Sequence, residues 1–250
     1  MPLPELTTDQ WGLAALAAFG VGVSKGGLAG VGLFHVLIFA TLFDARESTG
    51  IVLPMLVIGD SLAVILFRQH ARWDYVRRML PPAVVGVVVG TVLMHLLADV
   101  EFRPVIGGIV LLLTVLQLTR ITRPNLFSHV PHSLWFAWSL GLLAGMTTML
   151  ANGAGPIMAL YFLSVSLPKL ELVGTSAWFF LVVNSIKIPF SAGLGLINAR
   201  SLALNFVLAP MIPLGLLAGR WLVVRIPQKA FDATLLVFAG FVAMRFLGVF

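Results

Sequence analysis

The chain contains no cysteine, which excludes a disulfide framework, a thiolate metal site and a reactive thiol. It is also poor in charge: Asp, Glu, Lys and Arg make up 10% of its 250 residues, against 59% in the hydrophobic set. A soluble domain carries about 25% charge and roughly 45–50% apolar residues. No single core hides so large an excess, whereas a lipid bilayer requires it. Several motifs are missing as well: a paired-histidine zinc helix, a nucleophile elbow, a P-loop and a dinucleotide-binding glycine pattern. An intramembrane hydrolase or an ATP-driven pump therefore finds no support. Of the five histidines, His70, His129 and His132 lie in polar gaps, while His35 and His95 stand alone in apolar runs. A membrane-embedded enzyme would have only Asp60 and His35 to work with. No catalytic set, metal or cofactor is expected.

The charge that is present leans positive, with 16 Lys+Arg against 10 Asp+Glu. In a soluble protein this excess would suggest nucleic acid. Here it sits in short gaps between apolar runs, most densely at Arg68, Arg72, Arg77 and Arg78, which is how positive charge gathers at the cytoplasmic face of a membrane protein. The start, Met1-Pro2-Leu3-Pro4-Glu5, has no positive region of the signal-peptide kind, so the first apolar run is expected to stay in the mature protein.

Broken at charges, prolines and glycine clusters, the chain gives ten apolar segments: 10–23, 28–43, 49–67, 79–98, 104–119, 134–150, 154–167, 172–190, 201–224 and 231–249. A perpendicular crossing takes about 20 helical residues, and segments 28–43 and 154–167 fall short. They stand in corresponding places of two halves, a sign of discontinuous helices. Gly30-Val31-Gly32 matches Gly153-Ala154-Gly155 at an offset of 123, and Asp60-Ser61 matches Asn184-Ser185 at 124. Ala71-Arg72 matches Ala199-Arg200 at 128, and Phe102 matches Phe231 at 129. A slowly drifting offset is what a duplicated unit with small insertions leaves behind. The expected architecture is an all-α integral membrane protein of two repeats, 10–119 and 134–250, joined by a polar linker at 120–133.

Each repeat has five segments, an odd number, so if every segment changes side the second copy is inverted. Charge agrees. With the Arg68–Arg78 gap inside, Lys25, Arg68, Arg72, Arg77, Arg78, Arg120, Arg123, Lys169, Arg225 and Lys229 all fall inside. Only Arg46, Arg103, Arg200 and Arg245 fall outside, along with both termini.

Two glycine loops precede the short segments. The first is Ser24-Lys25-Gly26-Gly27-Leu28-Ala29-Gly30-Val31-Gly32, and the second is Ala151-Asn152-Gly153-Ala154-Gly155-Pro156. Glycine lets the backbone leave helical geometry, and Pro156 suits the first turn of a new helix. Each loop is thus expected to open a half-helix whose free N–H groups and partial positive charge favour an anion. Ionisable groups inside the apolar runs are costly in a bilayer and point to a partner, a wet cavity or an ion path. They are Asp60 and Lys187, with Lys25 in the first loop. A small anion is expected to bind Lys25, Gly26, Gly27, Gly30, Asn152, Gly153, Gly155, Asn184, Ser185 and Lys187. Asp60, the carboxylate among the lysines, is expected to couple anion movement to protons. Transport is expected to proceed by alternating access; a passive anion channel is the alternative.

The run Ser24-Lys25-Gly26-Gly27 with Gly30 and Gly32, then Gly50-Ile51-Val52-Leu53-Pro54 and Gly59-Asp60, and in the second half Asn152-Gly153-Ala154-Gly155-Pro156, Tyr161, Asn184, Lys187 and Gly195 resemble the TauE/SafE family of bacterial membrane transporters. The likeness runs from about residue 12 to 248. The resemblance implies a multi-pass protein of the bacterial inner membrane. It also implies a substrate among small sulfur-containing anions, such as sulfite, sulfoacetate and other sulfonates, usually exported.

Overall fold

The computed structural model describes residues 3–28, 32–43, 45–96 and 133–249, with scattered positions between 104 and 119. All regular structure among them is helical. In the first half α1 spans Thr8–Lys25, α2 Gly32–Leu42, α3 Ala45–Phe67 and α4 Trp73–Leu96. In the second, α5 spans Leu134–Ala151, α6 Ala154–Ser164, α7 Lys169–Gly193, α8 Ala199–Leu208, α9 Met211–Arg225 and α10 Gln228–Phe246. Most of segment 104–119 and of linker 120–133 lies outside the described residues.

Among the described residues, four helices are long and apolar enough to cross a membrane: α3 with the turn after it, α4, α5 and α7. The pair α8–α9 passes as a fifth, bent by 51°. The run 201–224, expected as one span, is therefore two helices. Pro210 removes a backbone donor and sets its ring against the carbonyl four residues back, so the helix stops and restarts. The segment expected from 79 begins earlier, at Trp73, because Arg77 and Arg78 at a membrane surface do not interrupt a helix. Helices α2 and α6 are 11 residues each, about 16 Å at 1.5 Å per residue, roughly half of a bilayer core.

The turns before these half-helices show why their residues are there. The turn after α1 holds Gly27, whose φ of +131° suits glycine alone, and a Cβ there would meet the Val223 side chain. Helix α5 ends at Asn152 with φ 50°, the left-handed region that asparagine tolerates best after glycine. In both turns a backbone N–H reaches back over the helix end, Leu28 to Val23 O and Gly153 to Thr147 O.

Apolar burial drives little association in lipid, so helices there rely on close packing and polar pairs. The most extensive crossings are α4 with α5, α1 with α9, and α3 with α7. The first two are built on glycine. A Cβ on Gly22 or Gly26 of α1 would overlap the Ile212 or Leu216 carbonyl of α9, and one on Gly215 or Gly219 would overlap Phe19 or Val23. On α4 and α5, Gly86 meets Leu142 in the same way and Gly145 meets Ala83. Gly86 and Gly90 precede Gly215 and Gly219 by 129 positions, the offset also found between Phe102 and Phe231.

One end of the bundle gathers the positive charge. Arg72 pairs with Glu171 at 3.0 Å, and its backbone N–H donates to Thr175 Oγ1 at 2.9 Å. Lys169 Nζ donates to the last carbonyls of α9, Val224 O at 3.3 Å and Ile226 O. Gly50, near Arg46, packs on Leu196 near Arg200, at the opposite ends of α3 and α7.

Candidate functional site

Helices α3 and α7 cross where Asp60 meets Asn184, residues 124 positions apart. Asn184 Nδ2 donates to Asp60 Oδ2 at 2.7 Å, and Lys25 Nζ, from the last turn of α1, pairs with Asp60 Oδ1 at 2.7 Å. The Asp60 side chain is fully buried, while that of Lys25 keeps 12% exposure. The Phe180 ring covers the ammonium at 4.5 Å from its centroid, a cation–π contact that holds the charge without taking a hydrogen bond. A buried carboxylate is retained only where it is paired and hydrogen-bonded, and each Asp60 oxygen meets one of these two partners.

A cavity of about 60 Å³ opens beside this pair, where a water alone needs roughly 10–15 Å³. Both half-helices aim their starts at it: Gly32 opens α2, and Gly155 and Pro156 lie in the first turn of α6. The positive ends of their dipoles meet the Lys25 ammonium in one space, which suits a small anion. Gly27, Asn152, Asn184 and Asp60 also line it.

Other expected residues stand apart. Lys187 is 2% exposed and does not line the cavity. Its ammonium donates to Thr148 O at 2.7 Å, Thr148 Oγ1 at 3.1 Å and Asn152 Oδ1 at 2.6 Å. Three acceptors use the three protons of an ammonium. Lys187 thus ties α7 to the end of α5 and fixes Asn152, whose Nδ2 donates to Thr49 O of α3 at 3.2 Å. Lys25, expected among the anion-binding residues, does line the cavity. Gly26 packs on α9, and Gly153 caps α6. Ser185 lies on the exposed face of α7. Gly30 lies outside the described residues.

Several lining residues were not among the expected contacts, including Ser24, His35, Thr148, Ser176 and Phe180. Thr148 had a signal, since it follows Lys25 by 123 positions, the offset between the two glycine loops. His35 had a weaker one, three residues after a loop glycine. Phe180 had none.

No curated protein and no solved structure matches the chain. The family model described as Sulfite exporter TauE/SafE matches residues 14–246, which takes in both glycine loops, the Lys25–Asp60 pair and every described helix that lines the cavity. The chain is a multi-pass membrane protein with a transporter family's pattern along nearly its whole length, and it belongs to the sulfite exporter TauE/SafE family.

Proposed function

We propose that the protein is a secondary transporter that exports a small sulfur-containing anion, sulfite or an organosulfonate, across the bacterial inner membrane. The observation that carries the proposal is the convergence of Lys25 and two half-helix starts on one buried cavity. Lys25 contacts the anion directly, together with the α2 and α6 backbone and the amides of Asn152 and Asn184. Lys187 contributes from behind, by holding Asn152 in place and adding positive charge.

The halves are inverted copies in this reading, residues 10–119 and 134–250 around a linker at 120–133, with both termini outside. The crossings support it: the first helix of each half packs on the fourth element of the other, while α3 and α7 pack on one another. A two-fold axis lying in the membrane plane would pass between Asp60 and Asn184 and put the site at the midplane. Alternating access is then the rocking of one half against the other.

Asp60 is the coupling residue. An arriving anion competes with its carboxylate for Lys25, and a carboxylate that loses its cation in a buried site binds a proton more readily. Sulfite flux into reconstituted vesicles under an imposed pH difference tests both levels. Wild type moves sulfite faster down the favourable proton gradient; Asp60→Asn still moves sulfite but ignores the gradient. Gradient-driven flux that persists in Asp60→Asn removes the coupling role, and absence of sulfite flux in wild type removes the transport assignment. Current that flows without regard to the gradient favours a channel.

A further inference from the structure

The lining of the cavity has hydrogen-bonding capacity that the described residues do not fill. Asn184 is fixed in orientation because a carboxylate only accepts: Nδ2 must be the atom on Asp60 Oδ2, and Oδ1 is then left over. That oxygen is buried and has no partner among the described residues. His35, in the first turn of α2, is 3% exposed, and its Nδ1 has no partner among the described residues either. A neutral imidazole in either tautomer asks its surroundings for one donor and one acceptor. Asp60 brings a carboxylate to the same lining. Donors line it too: the Lys25 protons that Asp60 does not take and the Ser24 hydroxyl, beside the starts of α2 and α6.

A fully deprotonated oxyanion satisfies only the donors. It would set its own lone pairs against that of Asn184 Oδ1, leaving a buried acceptor unpaired, which carries its full desolvation penalty. A ligand that bears an O–H or N–H as well as negatively charged oxygens satisfies the donors and the acceptors alike. Charge points the same way, since Lys25 and Asp60 cancel and Lys187, whose partners are all neutral oxygens, leaves one positive charge for the ligand to balance.

Resting on the assignment of this cavity as the anion site, we propose that it takes its substrate as a singly charged, protonated anion. Lys25 and the helix N–H groups hold the bare oxygens, and Asn184 Oδ1 and His35 receive the ligand's own donor. His35 is thereby a specificity-determining residue. For an inorganic substrate this means hydrogensulfite rather than sulfite; for an organic one, a sulfonate with a hydroxyl or ammonium group.

Chlorate separates the terms, because it has the pyramidal shape of sulfite, a single charge and no proton to give. Titration calorimetry of the purified full-length protein, run with sodium sulfite and with sodium chlorate across the pH interval in which sulfite takes up its proton, gives their affinity ratio. Chlorate keeps its charge throughout, so its own curve reports any titration of Lys25, Asp60, Lys187 or His35. At the acid end sulfite should bind about tenfold or more tightly than chlorate, the worth of one hydrogen bond to a charged partner. The preference should fade as sulfite loses its proton. His35→Phe should weaken hydrogensulfite more than chlorate and bring the ratio toward one, while His35→Asn, which keeps a donor and an acceptor, should preserve part of it. Equal affinities at every pH in wild type, or a preference for sulfite that grows toward the alkaline end, overturns the inference whether or not the variants fold. Failure of both anions to bind overturns the anion site itself.

Discussion

The two halves of the chain place a lysine beside the same crossing but use it differently. In the first half Lys25 comes from the end of α1 and meets a carboxylate on α3. In the second, the lysine is on α7, and it meets neutral oxygens at the end of α5. Thr148 stands where Lys25 would be by the 123-residue offset, and Asn184 stands where Asp60 would be by the 124-residue offset. Position and partner have been exchanged, so a frame with matched crossings encloses a site with one ion pair and one buried cation. The paired lysine reaches the cavity and the unpaired one does not. An ammonium with one strong partner keeps donors for a ligand; an ammonium with three acceptors has none to offer.

If that difference governs the site, Lys25→Met has the largest effect. It deletes the charge at the cavity and leaves Asp60 buried without a cation, and breaking a buried pair from one side costs about 3–5 kcal/mol. Anion binding and sulfite flux should vanish, and the melting temperature in detergent should drop. Lys25→Met combined with Asp60→Asn should recover the melting temperature and leave binding absent. A single Lys25→Met variant that transports at the wild-type rate would break the comparison at its root.

The frame has its own test. Gly145→Leu forces a side chain into the Ala83 carbonyl at the α4–α5 crossing, and overpacking of this kind costs about 1–3 kcal/mol. Gly12→Leu, at a glycine with open space around it, is the control. Gly145→Leu should lower the melting temperature and Gly12→Leu should leave it within error. Equal effects would mean that the glycine crossings do not hold the halves together.

Lys187→Met comes next in size and sharpens the contrast. It leaves Thr148 O with its helical partner, the Asn152 N–H at 3.1 Å, but frees Asn152 Oδ1 and loosens the loop before α6. Affinity should fall by about tenfold, because a hydrogen bond from Asn152 to the anion weakens once its side chain is no longer held. A loss as complete as that of Lys25→Met would place Lys187 in direct contact with the anion during transport.

What the sequence disclosed follows from how local the causes are. The half-helices were readable because short apolar runs beside Gly27 and Asn152-Gly153 are local features with a backbone reason. The cost of burying Lys25, Asp60 and Lys187 is also written in the residues themselves. The pairing was not, because Lys187 finds its acceptors 35 and 39 positions away and nothing near it distinguishes a ligand-binding lysine from one that braces a helix end. The break at Pro210 was hidden by an apolar run that continues on both sides. The glycine crossings were hidden by abundance, since 24 glycines give many four-residue spacings and only packing selects the ones that meet a backbone.

The smallest expected effect comes from an ion pair that joins the halves, Arg72 with Glu171. Arg72 and Glu171 make contact at 3.0 Å, closely similar in length to Lys25 and Asp60, yet their side chains are 49% and 30% exposed. Water screens both charges, and neither is left without solvation when its partner goes. Arg72→Ala should therefore cost no more than about 1 kcal/mol. The backbone contact beneath it is a separate matter, because the Arg72 N–H donates to Thr175 Oγ1 and Thr175 is fully buried. Thr175→Val removes that acceptor and strands a donor, which costs about 1–3 kcal/mol. Melting temperatures of the two variants in one detergent should rank Thr175→Val below Arg72→Ala. The reverse order would show that the exposed charge, rather than the buried hydrogen bond, fastens the turn after α3 to α7. The depth of burial would then no longer explain why Lys25–Asp60 serves the cavity while Arg72–Glu171, the same chemistry at the surface, only joins two elements.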